Sequence, residues 1–493
     1  MNNLRVPKEW EIAQISDIST KGQQIKPNAS ESFIYVDIGS IDRDSKKISS
    51  PQLLKGEDAP SRARKVINSG DVLVSLTRPN LNSVALVTDE YNGQIASTGF
   101  EVIKPVIVDS RYIFALTRFK DFIDTISGAT QGALYPAAKS ADVQAYSFPF
   151  PPLAEQKVIA EKLDTLLAQV ETTKARLENT LETLKQFRQS VLAAAVSGKL
   201  TEDWREKYTN VMVDSVQIVQ QHKAYFVNQK KKYKEPLEFK SNELTPIIPN
   251  SWLWYRAEQL CDLITKGTTP KKENMSSSGD VPYIKVYNLT FDGSLDFSID
   301  PTFVPSSVHK NELKRSKVFP GDVLMNIVGP PLGKVSIVPD SYDEWNINQA
   351  ISIFRPVCGV SNQYLSLCLR DEYLLDLTKS KAKATAGQFN LTLEICRDYS
   401  IPVPPLEEQN EIVRRVNKLL SGADLTEQQV NQVLERVNYL TQSILAKAFR
   451  GELTEQWRKD NPDLISGDNS AEALLKKIKA ERVAAKPKRK SKK

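Results

Sequence analysis

The sequence predicts an α+β protein built as an internal two-fold repeat, with two globular modules and two long helices. Three observations carry this. First, Pro151-Pro152-Leu153-Ala154-Glu155-Gln156 returns as Pro404-Pro405-Leu406-Glu407-Glu408-Gln409, and Gly198-Lys199-Leu200-Thr201-Glu202-Asp203-Trp204-Arg205 returns as Gly451-Glu452-Leu453-Thr454-Glu455-Gln456-Trp457-Arg458, both 253 residues on. A strict offset marks a rigid element of fixed length and a pseudo-symmetric molecule. Second, the stretch between the blocks carries an apolar 3-4 repeat in both copies. Third, β-branched runs follow Gly-Asp pairs at Gly70-Asp71 and Gly321-Asp322.

The first module, residues 1–150, opens on Pro7-Lys8-Glu9-Trp10, matched by Pro249-Asn250-Ser251-Trp252. Thr20-Lys21-Gly22 matches Thr265-Lys266-Gly267, and Ala129-Thr130-Gln131-Gly132 matches Ala384-Thr385-Ala386-Gly387. Val72-Leu73-Val74-Ser75-Leu76 and Val323-Leu324-Met325-Asn326-Ile327 read as strands opened by a turn. The offsets drift, so the modules tolerate loop insertions on a common frame.

Residues 151–204 form the first long helix with its closing block. The seam is Ile159, Leu163, Leu166, Val170, Leu177, Leu184, Phe187 and Val191, with Thr173 and Thr180 filling two positions. A 3.5-residue apolar period packs one helix along another. Prolines precede the helix and Gly198 follows it, where a left-handed cap is wanted. About 45 residues span roughly 65 Å. Residues 205–247 read as a linker with a Lys-rich cluster, and residues 248–403 as the second module. Residues 404–457 repeat the helix, its seam being Ile412, Val416, Leu419, Val430, Val433, Val437, Leu440 and Ile444. Gly422 stands mid-helix opposite Gln169, costs about 1 kcal/mol relative to Ala, and predicts a bend. Residues 458–493 form a helical segment and basic tail; Lys479-Ala480 pairs loosely with Lys223-Ala224, 256 residues earlier.

The net charge is +6, but residues 471–493 carry +8, which leaves −2 elsewhere; residues 1–150 hold 17 basic and 17 acidic side chains. Nucleic acid would therefore be met by local patches. No run of 18 apolar residues exists, and the four cysteines, Cys261, Cys358, Cys368 and Cys396, have no metal-like spacing. A soluble cytoplasmic protein with structural thiols and no membrane partner is expected. Only His222 and His309 occur, and no Gly-x-Gly is present. Gly329-Pro330-Pro331-Leu332-Gly333-Lys334-Val335 is one residue short of a phosphate loop and has Val335 where Ser or Thr belongs. A recognition or scaffold chain without catalytic or metal residues is the expectation.

The two helix-flanking blocks resemble the central and C-terminal conserved regions of the specificity (S) subunit of type I restriction-modification enzymes. Residues 151–167 and 440–454 are similar to the type IA branch. The resemblance implies a non-catalytic DNA-binding subunit whose two modules are target-recognition domains, each reading half of an asymmetric bipartite site. It implies two modification (methyltransferase) subunits and two restriction subunits as partners, with S-adenosylmethionine, ATP and Mg bound by those subunits and no cofactor on this chain. A two-fold axis perpendicular to double-stranded DNA makes the two helices an antiparallel coiled coil. Half-sites about one turn apart, roughly 34 Å, fall within the helix length.

Candidate DNA contacts are polar and basic loop residues: Lys21, Arg78, Asn80, Asn82, Thr130, Gln131 and Lys139 in the first module, and Lys266, Lys271, Lys272, Asn326, Lys334, Thr385, Gln388 and Asn390 in the second. Arg and Lys suit guanine edges or phosphate, Asn and Gln suit adenine. Each competes with being a solvated loop residue. Trp204 and Trp457 serve either as packing anchors or as docking sites for partner subunits. The alternative for the whole chain is a structural adaptor whose coiled coil spaces two protein-binding domains.

Overall fold

The computed structural model describes residues 6–128, 137–208, 211–230, 232–233, 235, 238–239, 247–329, 331–357, 359–380, 384–385 and 388–484. The chain divides into two compact units: residues 1–178 with 431–493, and residues 179–430. The division cuts through both long helices, Leu153–Val196 and Leu406–Phe449, each of 44 residues.

The first unit holds two four-stranded sheets. One is antiparallel and places Ser19–Thr20, Phe100–Pro105, Val72–Ser75 and Val84–Leu86 side by side. The other orders Gln52–Lys55, Ser32–Val36, Gln94–Ser97 and Ala63–Ile67, with the middle pair parallel. Glu11–Gln14 pairs with Ser147–Phe150 and ties the two ends of the module together. The second unit repeats the plan with Cys261–Lys266, Ile351–Pro356, Val323–Asn326 and Val335–Ile337 in one sheet. Its mixed sheet orders Phe303–Val304, Val281–Ile284, Trp345–Ile347 and Lys317–Val318. Leu253–Arg256 closes on Ser400–Val403.

The repeat holds at the level of register. Val72 faces Ile103, and Val323 faces Phe354, both pairs shifted by 251. The Gly-Asp turn has the same chemistry twice. Gly70 and Gly321 take φ of +86° and +87°, a conformation a side chain would strain. Asp71 accepts from Asn68 N and pairs with Lys104; Asp322 accepts from Phe319 N at 2.9 Å and pairs with Arg355 at 2.7 Å. Thr-Lys-Gly, by contrast, is not equivalent in register. Thr20 faces Lys104, whereas Thr265 faces Ile353, two residues short of Lys104's counterpart Arg355.

In the first unit Ile159, Leu163 and Leu167, near the start of the first long helix, share a core with Leu445, Ala448 and Phe449 at the end of the second. In the second unit Val191, Leu192, Ala195 and Val196 share one with Ile412, Val413 and Val416. Start packs on end in each unit, so the helices run antiparallel there. One seam column is displaced from the expected one. Ile159, Leu163, Val170, Val191, Ile412, Val416, Val430 and Val437 are buried, and Leu166, Leu177, Leu184 and Ile444 are half-buried. Phe187, Leu419, Val433 and Leu440 are exposed. The inward column runs one residue later, through Leu167, Lys174, Leu181 and Arg188, and through Leu420, Glu427, Leu434 and Thr441. Apolar doublets such as Leu166-Leu167 and Leu419-Leu420 satisfy either phase. Long charged stems can line a seam while their heads stay wet, as Arg188 does beside Asp424 and Glu427.

The segment between the repeats is more than a linker. Helices Ser215–Asn228 and Ala471–Ala484 are both 14 residues long and 256 apart. Ser215–Asn228 packs on Ala257–Leu260 in the second unit, and Ala471–Ala484 packs on Ile15–Ile18 in the first. Ile218 and His222 bury where Leu474 and Ile478 do, and burial holds His222 below the ordinary imidazole range.

Candidate nucleic-acid interface

Each module is anchored to the helices by one polar knot, built twice. Glu155 and Gln156 follow the paired prolines and are fully buried, as are Glu408 and Gln409. Glu155 accepts from Trp10 Nε1 at 2.7 Å, from Thr454 Oγ1 at 2.6 Å, and from Arg458. Glu408 accepts from Trp252 Nε1 at 2.8 Å, from Thr201 Oγ1 at 2.7 Å, and from Arg205. Arg458 also donates to Gly451 O and Arg205 to Gly198 O, both at 2.7 Å. Gln156 takes Asp109 N at 3.1 Å, and Gln409 takes Ser361 N at 2.8 Å. The two helix-closing glycines have φ of +77° and +73°, and a Cβ there would strike Pro249 or Pro7. A buried carboxylate survives because both its oxygens accept hydrogen bonds and one donor is a cation.

The partners are crossed. The closing block of the second helix locks onto the opening block of the first, and the converse, so each knot lies wholly within one unit. This explains why the two blocks keep one spacing while the modules drift. Trp204 and Trp457 are only half-buried; Trp204 stacks on Tyr208 at 4.7 Å. The buried anchors are Trp10 and Trp252, 5% and 2% exposed. The duplicated Pro-x-x-Trp was the signal for them.

The candidate DNA contacts divide sharply. Asn82 is buried, has φ of +47°, and donates to Thr117 O at 2.8 Å. Asn326 is buried, donates to Pro331 O at 2.8 Å and accepts from Lys334 N at 2.9 Å. Burial and these bonds to backbone set both side chains apart from the exposed candidates: in this structure they hold their own loops. A pattern of loop polarity cannot distinguish an amide facing solvent from one satisfying its own loop. Lys21, Arg78, Asn80, Lys139, Lys266, Lys271, Lys272 and Asn390 are exposed. Arg78 has φ of +50° before the turn Pro79–Leu81, and Lys139 opens the helix Ser140–Gln144. Lys334 is half-buried over the Phe291 ring. Thr130 and Gln131 lie outside the described residues; Thr385 and Gln388 sit on the hairpin strands Ala384–Thr385 and Gln388–Asn390.

One cationic patch recurs in both units. In the first, the loop after Thr20 runs beside the strand Ala63–Ile67, with Ile25 N on Arg64 O at 2.9 Å and Val66 N on Gln23 O at 3.0 Å. This gathers Lys21, Lys26, Arg62 and Arg64. In the second, Arg315 Nε donates to Thr268 Oγ1 at 3.2 Å, which places it beside the loop bearing Lys266, Lys271 and Lys272. Arg62, Arg64, Lys314 and Arg315 were not anticipated; only the fold brings them to these loops. Among the described residues no group of three or more His, Cys, Asp and Glu could hold a metal ion. No described helix is long and apolar enough to cross a membrane. The described cysteines, Cys261, Cys368 and Cys396, are free and buried; Cys396 is pushed up to about 12 by burial.

A family profile described as "Type I restriction modification DNA specificity domain" matches residues 7–183 and 249–436. The chain is 38% identical to the Type I restriction enzyme EcoDI specificity subunit of Escherichia coli, over 80% of this chain and 81% of that one. It is 32% identical to the EcoKI specificity subunit of Escherichia coli (strain K12) over 100% of both chains. Its fold matches the HsdS subunit from Thermoanaerobacter tengcongensis with a TM-score of 0.55 and 25% identity, covering 90% and 98% of the two chains. A chain from the structure "Structural basis underlying complex assembly and conformational transition of the type I R-M system" matches with a TM-score of 0.72 and 24% identity, covering 91% and 100%. With both halves matched and the same doubled architecture, this chain belongs to the type I restriction-modification DNA specificity family.

Proposed function

We propose that this chain reads an asymmetric bipartite DNA site, each module taking one half, with the paired helices setting the gap. As a specificity-family member it is a non-catalytic recognition subunit. The observation that carries the finer reading is the doubled cationic patch on modules whose frame is shared and whose loops are not. Clustered basic side chains on exposed loops are the electrostatic footprint of phosphate binding. The chain scaffolds two modification subunits and two restriction subunits; those subunits bind S-adenosylmethionine, ATP and Mg, and this chain binds none. The complex works on cellular DNA in the cytoplasm.

Methylation sequencing of DNA from cells carrying this chain with its partner subunits, against cells lacking it, tests the reading. The expected result is methyladenine in one split motif with a fixed gap. Active partner subunits without any such motif would leave the structural adaptor as the better account.

A further inference from the structure

We infer that Arg64 and Arg315 are equivalent phosphate contacts, one per half-site, which set each module's register on DNA without reading bases. The inference rests on the DNA reading above and assigns two of its contacts. The residues stand 251 apart, the offset of the Gly-Asp turns that follow them. The neighbouring register agrees: Val66 faces Ile95, and Lys317 faces Asn346, again shifted by 251. They therefore hold equivalent positions along the repeat, Arg64 within the strand Ala63–Ile67 and Arg315 in the turn that leads into Lys317–Val318.

Arg64 is the extra residue of a bulge, since Ala63 faces Ser97 while Lys65 faces Ala96. A bulge of this kind re-aims a side chain. The Arg64 guanidinium donates to its neighbour's carbonyl, Ala63 O, at 3.2 Å. Arg315 lies in the short turn Lys314–Ser316, exposed, with its Nε held by Thr268 Oγ1 at 3.2 Å. Neither guanidinium has an acidic partner among the described residues, so both forks keep donors for an oxyanion.

The loops beside these arginines do not match: Gln23-Gln24-Ile25 in one module, Thr268-Thr269-Pro270 in the other. Two modules that read different half-sites can share only contacts to what the halves have in common, the sugar–phosphate backbone. Base edges demand side chains that differ. A planar guanidinium fits a phosphate in two-pronged fashion. The shared arginine is thus the positioning contact, and the unshared loops carry the sequence.

Binding of the full chain to a labelled random-sequence duplex of about 40 base pairs, followed against salt, tests this. Arg64→Ala and Arg315→Ala should each weaken binding about three- to tenfold. Each should reduce the slope of log K against log salt by about 0.9, the value for one phosphate contact on duplex DNA. Arg64→Lys and Arg315→Lys should keep most of the slope, and all four variants should melt with the wild type. In cells the methylated motif should stay unchanged. Wild-type binding with an unaltered slope in the alanine variants would overturn the assignment alone, as would a motif that loses a base in one half. A wild-type chain without salt-dependent DNA binding would overturn the DNA reading and this assignment together.

Discussion

Glu408 gathers Trp252, Thr201 and Arg205 around one buried carboxylate, and Glu155 does the same with Trp10, Thr454 and Arg458. Removing one member strands the others in the core, which costs far more than a surface pair. Glu408→Ala should destabilise the second unit by about 3–5 kcal/mol. Denaturant unfolding of E408A, R205A and the double variant checks this: the double variant should cost much less than the sum. A second carboxylate gives a pH signature. Glu411 is held by Arg414 first and then Arg415, and sits at about 2, below its ordinary 4.5. A depressed carboxylate contributes stability that is present above its unfolded value and lost as pH falls through the folded one. Wild type should therefore lose stability between pH 4.5 and about 2 more steeply than Glu411→Gln, as measured by melting across that window.

At the scale of elements, the long helices were legible from their period, but the identity of one seam column was not. Leu166 and Leu167 are both apolar, and a period alone is satisfied by either; packing against the partner helix chose Leu167. The expected cost at Gly422 remains. Its position is exposed within the helix and a Cβ there meets nothing within 4 Å. Gly422→Ala should stabilise the chain by about 0.5–1 kcal/mol by narrowing the unfolded ensemble and favouring the helix. Denaturant midpoints of the two proteins decide it. The duplicated strands Val72–Ser75 and Val323–Asn326 were legible too, because Gly-Asp before a β-branched run marks a turn. The Asn82 and Asn326 loops were not, since an amide's partner lies in backbone that only the fold supplies.

For the molecule as a whole, the first compact unit needs two separate stretches of chain, whereas the second is one continuous stretch. The first unit takes Leu445, Phe449, Leu474 and Ile478 from beyond residue 430 into its core. Arg482 donates to Asp17 O at 2.7 Å, and Tyr112 meets the Phe449 ring edge-on at 5.4 Å. A fragment of residues 1–178 lacks all of these and exposes the apolar face they cover. It should be far more sensitive to limited proteolysis than the full chain, and co-expression with residues 431–493 should restore protection. Equal protection of the fragment alone would mean the module's core closes without the returning segment.

The sequence by itself determined the doubling, the two helices and the strand-opening turns, because these rest on spacing and periodicity that any reader can measure along the chain; the family came from the resemblance of residues 151–167 and 440–454. Tertiary structure decided which blocks meet: Glu155 with Arg458 and Glu408 with Arg205, each across more than 200 residues. It also decided which polar residues stay in solvent, and it brought Arg64 and Arg315 beside loops remote in sequence. The physical reason is that a hydrogen bond or an uncompensated charge depends on neighbours in space, and crossed pairing between two copies of one pattern leaves no trace in either copy alone.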